Sequence, residues 1–172
     1  MNAEQRPAVR SQPLQFGSWS LGAVPGGWEA VPGHGIRDAS EGAFPSSVVV
    51  GEDTLPTPTT LEQYIEAQLV IVERYLPEAR HSAVRMLDSG DADEAITLEI
   101  ELPAPDGGTG VMRQLYARFA QQVGVVTFTT LSRELSRLEP VFESIRAELR
   151  FLQEQRPPDS TDGAEDLHAP PI

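Results

Sequence analysis

The sequence predicts an α+β domain: an antiparallel sheet of about six strands packed with two main helices. Three observations carry this. Residues 60–77 and 134–152 each hold one apolar stripe at helical spacing, and the segments between them alternate apolar and polar residues or are rich in β-branched ones. Strands that follow one another through short Gly-rich and Asp-rich turns favour antiparallel pairing over parallel crossover units. At 172 residues, 40% of them hydrophobic, the chain has the length and composition to bury a core as one domain.

Taken in order, residues 1–12 are polar and aperiodic and read as a flexible leader, so the domain is placed at 13–152. Pro13 to Ala23 (PLQFGSWSLGA) alternates as a first strand. The Gly/Pro-dense stretch around Trp28 (VPGGWEAVPGHG) reads as loop. Ser46 to Asp53 (SSVVVGED) is a short β-branched strand, and LPTPTT breaks the chain after it. Leu61, Tyr64, Ile65, Gln68, Leu69, Val72 and Leu76 then fall on one helix face, apolar but for Gln68. Thr60 with Gln63, or Thr59 with Glu62, fits a capping box, and Pro77 ends the helix.

A four-strand meander follows: ARHSAVRML, the turn DSGDAD, and DEAITLEIELP, where Ile96, Leu98, Ile100 and Leu102 alternate with Thr97, Glu99 and Glu101. After APDGGTG come GVMRQLYARFAQQ and VGVVTFTTL, with Gly124 as the expected turn. The second helix runs from about Glu134 to Leu152 on Leu135, Leu138, Val141, Phe142, Ile145, Leu149 and Leu152, with Pro140 near its first turns. Residues 153–172, acidic, Pro-rich and aperiodic, read as a disordered tail.

Charge and composition narrow the function. The net charge is −13 and all 13 basic residues are Arg. An acidic surface repels phosphate backbones and anionic headgroups, which argues against nucleic acid and peripheral membrane partners. Without Cys or Lys, disulfides, thiolate catalysis, Cys-ligated metals, Schiff bases and P-loops are excluded. No secretory signal pattern and no transmembrane-length apolar run is present, so cytoplasmic residence is the expectation. His34, His81 and His168 have no ligand or general-base partners at helical spacing. The run DSGDADE lacks the ligand order of a calcium loop, and the Gly26-Gly27 and Gly107-Gly108 pairs lack phosphate-loop spacing. The expectation is no catalytic residue, no metal and no cofactor.

The strand GVMRQLYARF sets Val111, Arg113, Leu115, Ala117 and Phe119 on one face and Met112, Gln114, Tyr116 and Arg118 on the other. If both helices cover the Leu115 face, the other presents a thioether, an amide and a phenol, a surface suited to an adaptable protein partner. A merely solvated face, or one buried in a homodimer, fits the same pattern. The expected partner-binding residues are Met112, Gln114 and Tyr116, with Val48 and Val50 from the second strand and Phe16 from the first as neighbours.

Several strings carry a resemblance. VPGGWEA, SSVVVGEDTLPTPTTLEQYIEAQL, MRQLYARFAQQVGVVTFTTL and LEPVFESIRAELRF resemble the DcrB-related family, whose fold is similar to that of photosystem II PsbP proteins. The likeness runs from about Leu14 to Phe151, through a Pro-Gly-Trp loop, the Leu61, Tyr64, Gln68, Leu69 helix start and the Pro140, Phe142, Ile145, Leu149, Phe151 helix end. Its members without a lipoprotein signal resemble the Eag chaperones of type VI secretion. That implies a homodimer that shields hydrophobic N-terminal transmembrane helices of an effector, often of Rhs/PAAR type, and aids its loading on the secretion spike. A non-catalytic structural or assembly protein that binds a soluble partner is the alternative, and a hydrolase using scattered carboxylates is a third. The loop around His34 and the acidic tail have no counterpart in the family.

Overall fold

The computed structural model describes residues 13–31, 35–39, 44–88 and 90–152. The leader and tail expected at 1–12 and 153–172, together with His34 and His168, lie outside these.

The first expected strand is instead a hairpin, β1 (Leu14–Phe16) and β2 (Trp19–Leu21), turning at Gly17 with φ 58°. Trp28 is not in a loop: β3 (Trp28–Val31) pairs antiparallel with β4 (Gly35–Asp38), and β4 pairs with β5 (Ser47–Thr54). Gly/Pro density marks the ends of these short strands and hid the strands themselves. Helix α1 (Leu61–Tyr75) starts at the capping box: Thr60 Oγ1 accepts from the Gln63 amide at 3.2 Å, and the Gln63 side chain accepts from the Thr60 amide at 3.0 Å.

The short strands β6 (Arg80–His81) and β7 (Arg85–Met86) both line β8 (Glu94–Pro103), which pairs with β9 (Thr109–Phe119) and then β10 (Gln122–Leu131). Strand β10 starts at Gln122, so Gly124 lies inside it. The tight turn between β9 and β10 is made by Ala120, at φ 55°, and Gln121. A β-carbon on Gly124 would run into the Trp19 indole. Close approach, not turning, is what requires glycine there.

After a single 3-10 turn (Ser132–Glu134), helix α2 spans Leu135–Glu148, shorter than its apolar stripe suggests. Leu149–Phe151 leave it as β11, which pairs with β2. The class matches the expectation, but the strands number more than six. They form two sheets, a small one ordered β1-β2-β11 and a large one ordered β3-β4-β5-β10-β9-β8-β6, with β7 also on β8.

The large sheet has a helix on each face. Leu61, Ile65 and Leu69 of α1 pack with Ile96, Leu98, Ile100, Tyr116 and Val123. Leu138, Phe142 and Ile145 of α2 pack with Val48, Val50, Val126 and Phe128 on the other side, where Trp19 and Leu21 join them. Each buried side chain of the Leu/Ile/Phe class contributes roughly 1.5–3 kcal/mol through lost contact with water. Both helices are therefore anchored independently.

Candidate functional site

This division of the helices overturns one expectation. Met112, Gln114 and Tyr116 do share a face, but α1 covers part of it, whereas α2 takes the Leu115 face. Strand alternation assigns side chains to faces but cannot say which face a distant helix will cover. Tyr116 is only 3% exposed, and its ring stands edge-on to Tyr64 of α1 with centroids 6.2 Å apart. It is core rather than docking surface. Val48 and Val50 are buried on the opposite face, under α2, and half-buried Phe16 packs against that same cluster. The six expected residues thus do not form one surface. Met112 and Gln114, both half-buried, stay together at the edge of what α1 covers.

Beyond that edge the same face lies open. The register aligns Leu98, Gln114, Thr127 and Val49 across four strands. Leu98 is buried under α1; Val49, three strands away, is 48% exposed. The neighbouring rows bring Thr129 and Ser47 beside Met112, and Val125 and Gly51 beside Tyr116. The side chains on this open floor are therefore small, hydroxylated or branched.

One flank of α1 forms the wall. Tyr64, Gln68, Ile71 and Tyr75 follow the i, i+4, i+7, i+11 spacing of a single line along a helix. Tyr64 shows which way that flank faces: its hydroxyl donates to Asp53 Oδ2 on β5 at 3.0 Å. Burial, and next the Asp53 carboxylate, push the Tyr64 pKa well above the ordinary phenol value. Ile71 and Tyr75 farther along are 49% and 74% exposed. On the floor, the Tyr116 hydroxyl donates to Gln114 Oε1 at 2.8 Å, and burial pushes its own pKa up to about 12. That bond fixes the Gln114 amide so that its NH2 group, 3.5 Å from Thr127 Oγ1, turns toward the open side. Val49, Ile71 and Tyr75 were missed as site residues. The signal was present: Tyr64, Gln68, Ile71 and Tyr75 form a second line beside the core stripe, and Val49 alternates with the buried Val48 and Val50.

The opposite face has a concavity of about 460 Å³ between α2 and the β7–β8–β9 strands. Across it Arg113 binds Glu99 of β8 at 3.1 Å and Glu139 of α2 at 2.7 Å. Among the described residues no group of three or more His, Asp or Glu is arranged to hold a metal ion. His81 is exposed, its Nε2 3.8 Å from Glu73. No described helix is long and apolar enough to cross a membrane.

Solved structures share this architecture. CyanoP, the cyanobacterial PsbP of Synechocystis, superposes with a TM-score of 0.56 over 88% of this chain and 98% of its own, at 13% identity. The fold is PsbP-like. LpqN, involved in cell envelope biogenesis of Mycobacterium tuberculosis, matches with a TM-score of 0.61 at 16% identity over 82% of this chain and 90% of its own. A putative regulator of unknown function from Pseudomonas aeruginosa, PA94, matches with a TM-score of 0.55 at 19% identity, over 76% and 90% of the two chains. At these identities the likeness shows the fold alone. No protein-family description and no curated protein matches the sequence.

Proposed function

We propose that this PsbP-like chain is a chaperone that seats an apolar helix of a partner protein on the open half of the sheet, parallel to α1. One observation carries the reading: α1 covers only part of its face, and the remainder beside it has a small-residue floor (Val49, Thr127, Gly51) and an apolar wall (Ile71, Tyr75). Packed helices lie 8–10 Å apart, so a helix beside α1 would stand over β10 and β5, where Val49 is exposed. Small floor residues let a helix backbone come close, as in helix pairs within membranes. The oriented Gln114 amide offers such a helix a hydrogen bond.

The resemblance to the Eag chaperones supplies the client class: hydrophobic N-terminal transmembrane helices of a type VI secretion effector of Rhs/PAAR type, kept soluble and carried to the spike. Such helices in water expose about 20 apolar residues and aggregate. Covering them gains roughly 25 cal/mol per Å² of apolar surface, and the −13 charge keeps the complex dispersed.

The test is co-expression with a cognate effector N-terminus, followed by pull-down of soluble complex. Val49→Asp and Ile71→Glu alter exposed positions and spare the core; each should abolish recovery of the client. Gln114→Arg with Met112→Asp should do the same. Undiminished recovery from all three would refute the site. If deletion of the client's apolar helices leaves binding intact, the reading of a soluble partner takes its place.

A further inference from the structure

The outer edge of the large sheet at β7 carries a second surface. Residues 83–88 are all exposed, among them Val84 at 41%, Met86 at 60% and Leu87 at 36%. Large apolar side chains are uncommon on an open sheet edge, because such an edge is a template for another strand. His81 faces Ile100 and Arg85 faces Thr97, so the edge has one residue more than β8 between these pairs, a bulge centred on Ser82 and Ala83. Past the bulge the chain is regular. The Leu87 amide donates inward to the Ala95 carbonyl at 2.9 Å, and antiparallel alternation then turns the backbone N–H and C=O groups of Val84 and Met86 outward.

Charge narrows what this edge will take. In a chain of net charge −13, Arg113, Arg133, Arg137 and Arg146 are each bound to carboxylates. Arg80 and Arg85 have no ion pair among the described residues, and both project to the same face of this edge, as their partners Glu101 and Thr97 show. We propose that Val84–Leu87 is a strand-addition edge for an extended segment of a partner protein that is acidic opposite Arg85 and apolar at the alternate positions. Main-chain bonds to Val84 and Met86 supply affinity, and the alternate side chains supply choice. A second copy of this chain is the disfavoured occupant. Pairing Val84 with Met86 in a two-fold arrangement puts Arg85 against Arg85, and like charges directly opposite are destabilising.

The test uses the full chain and an acetylated, amidated pentapeptide, Thr-Val-Glu-Val-Thr, with a Thr-Val-Lys-Val-Thr control. Amide hydrogen exchange is followed at Val84 and Met86. The acidic peptide should slow exchange at both amides at least several-fold, leaving Leu87, already bonded inward, unchanged, while the Lys peptide has no effect. Arg85→Glu should exchange the preference of the two peptides, a result that no structural role for Arg85 would produce. Equal response to both peptides, no response to the acidic one, or a preference unmoved by Arg85→Glu would overturn the proposal. So would protection that rises with protein concentration and needs no peptide, which would assign the edge to a second copy. The client-helix assay does not involve this edge, so each reading fails separately.

Discussion

Replacing Gly124 with alanine is expected to destabilise the fold chiefly through Trp19, with the Phe151 ring a lesser contact at 3.2 Å. The new methyl group would enter the space of the indole, which is 5% exposed and donates its Nε1–H to the Gly51 carbonyl at 3.0 Å. Overpacking of this kind costs about 1–3 kcal/mol. If the indole yields, loss of its hydrogen bond adds about 0.5–1.5 kcal/mol. Alanine returns about 0.5–1 kcal/mol, because glycine loses more backbone freedom on folding. The sum is a loss of about 0.5–4 kcal/mol, centred near 2. In urea, with m of about 1–3 kcal/mol/M, that lowers the midpoint by roughly 1 M. A Trp19→Leu background separates the cause. Removing the indole removes the hardest contact and leaves the Phe151 ring 3.2 Å from the new methyl group, so Gly124→Ala should cost markedly less there, and the cycle should report the difference as coupling. Equal losses in both backgrounds would refute the account.

Two further expectations concern the faces of the large sheet. Tyr116 has a pKa raised to about 12 by burial, above the ordinary value near 10; the folded state holds its proton more tightly, so that contribution is complete below about pH 10 and is lost as pH rises toward 12. Urea midpoints measured across that window should fall, and Tyr116→Phe should flatten the decline; an unchanged slope would count against the assignment. Arg113→Met should leave Glu99 and Glu139 facing each other without their shared cation and lower stability by about 1–2 kcal/mol at neutral pH. Adding Glu139→Gln should recover part of that loss, as read by thermal unfolding.

Sequence periodicity located the helices well because each has to bury one stripe, and three-residue and four-residue spacing is hard to mimic. The capping box at Thr60 and Gln63 was legible for the same local reason. What escaped was decided at a distance. Trp28 sits in a strand because β4, itself held by β5, lies beside it, not because its own neighbours favour one. Gly124 looked like a turn until Trp19, far away in sequence, came to rest on it. The facing of Met112 and Gln114 relative to each other was correct, since alternation is local. Their relation to Val48 and Val50 needed the β5–β10–β9 register, which joins strands on either side of α1.

The small sheet β1-β2-β11 joins the two ends of the described chain, Leu21 pairing with Leu149 and Trp19 with Phe151. A ribosome therefore releases the N-terminal hairpin long before its partner strand exists. Closing so large a loop is slow, and until then the Trp19 and Leu21 side chains have no finished core to enter. The domain should thus acquire its last cooperative contacts only after β11 has left the ribosome, and nascent chains halted before β11 should remain open to proteases at the N-terminal hairpin.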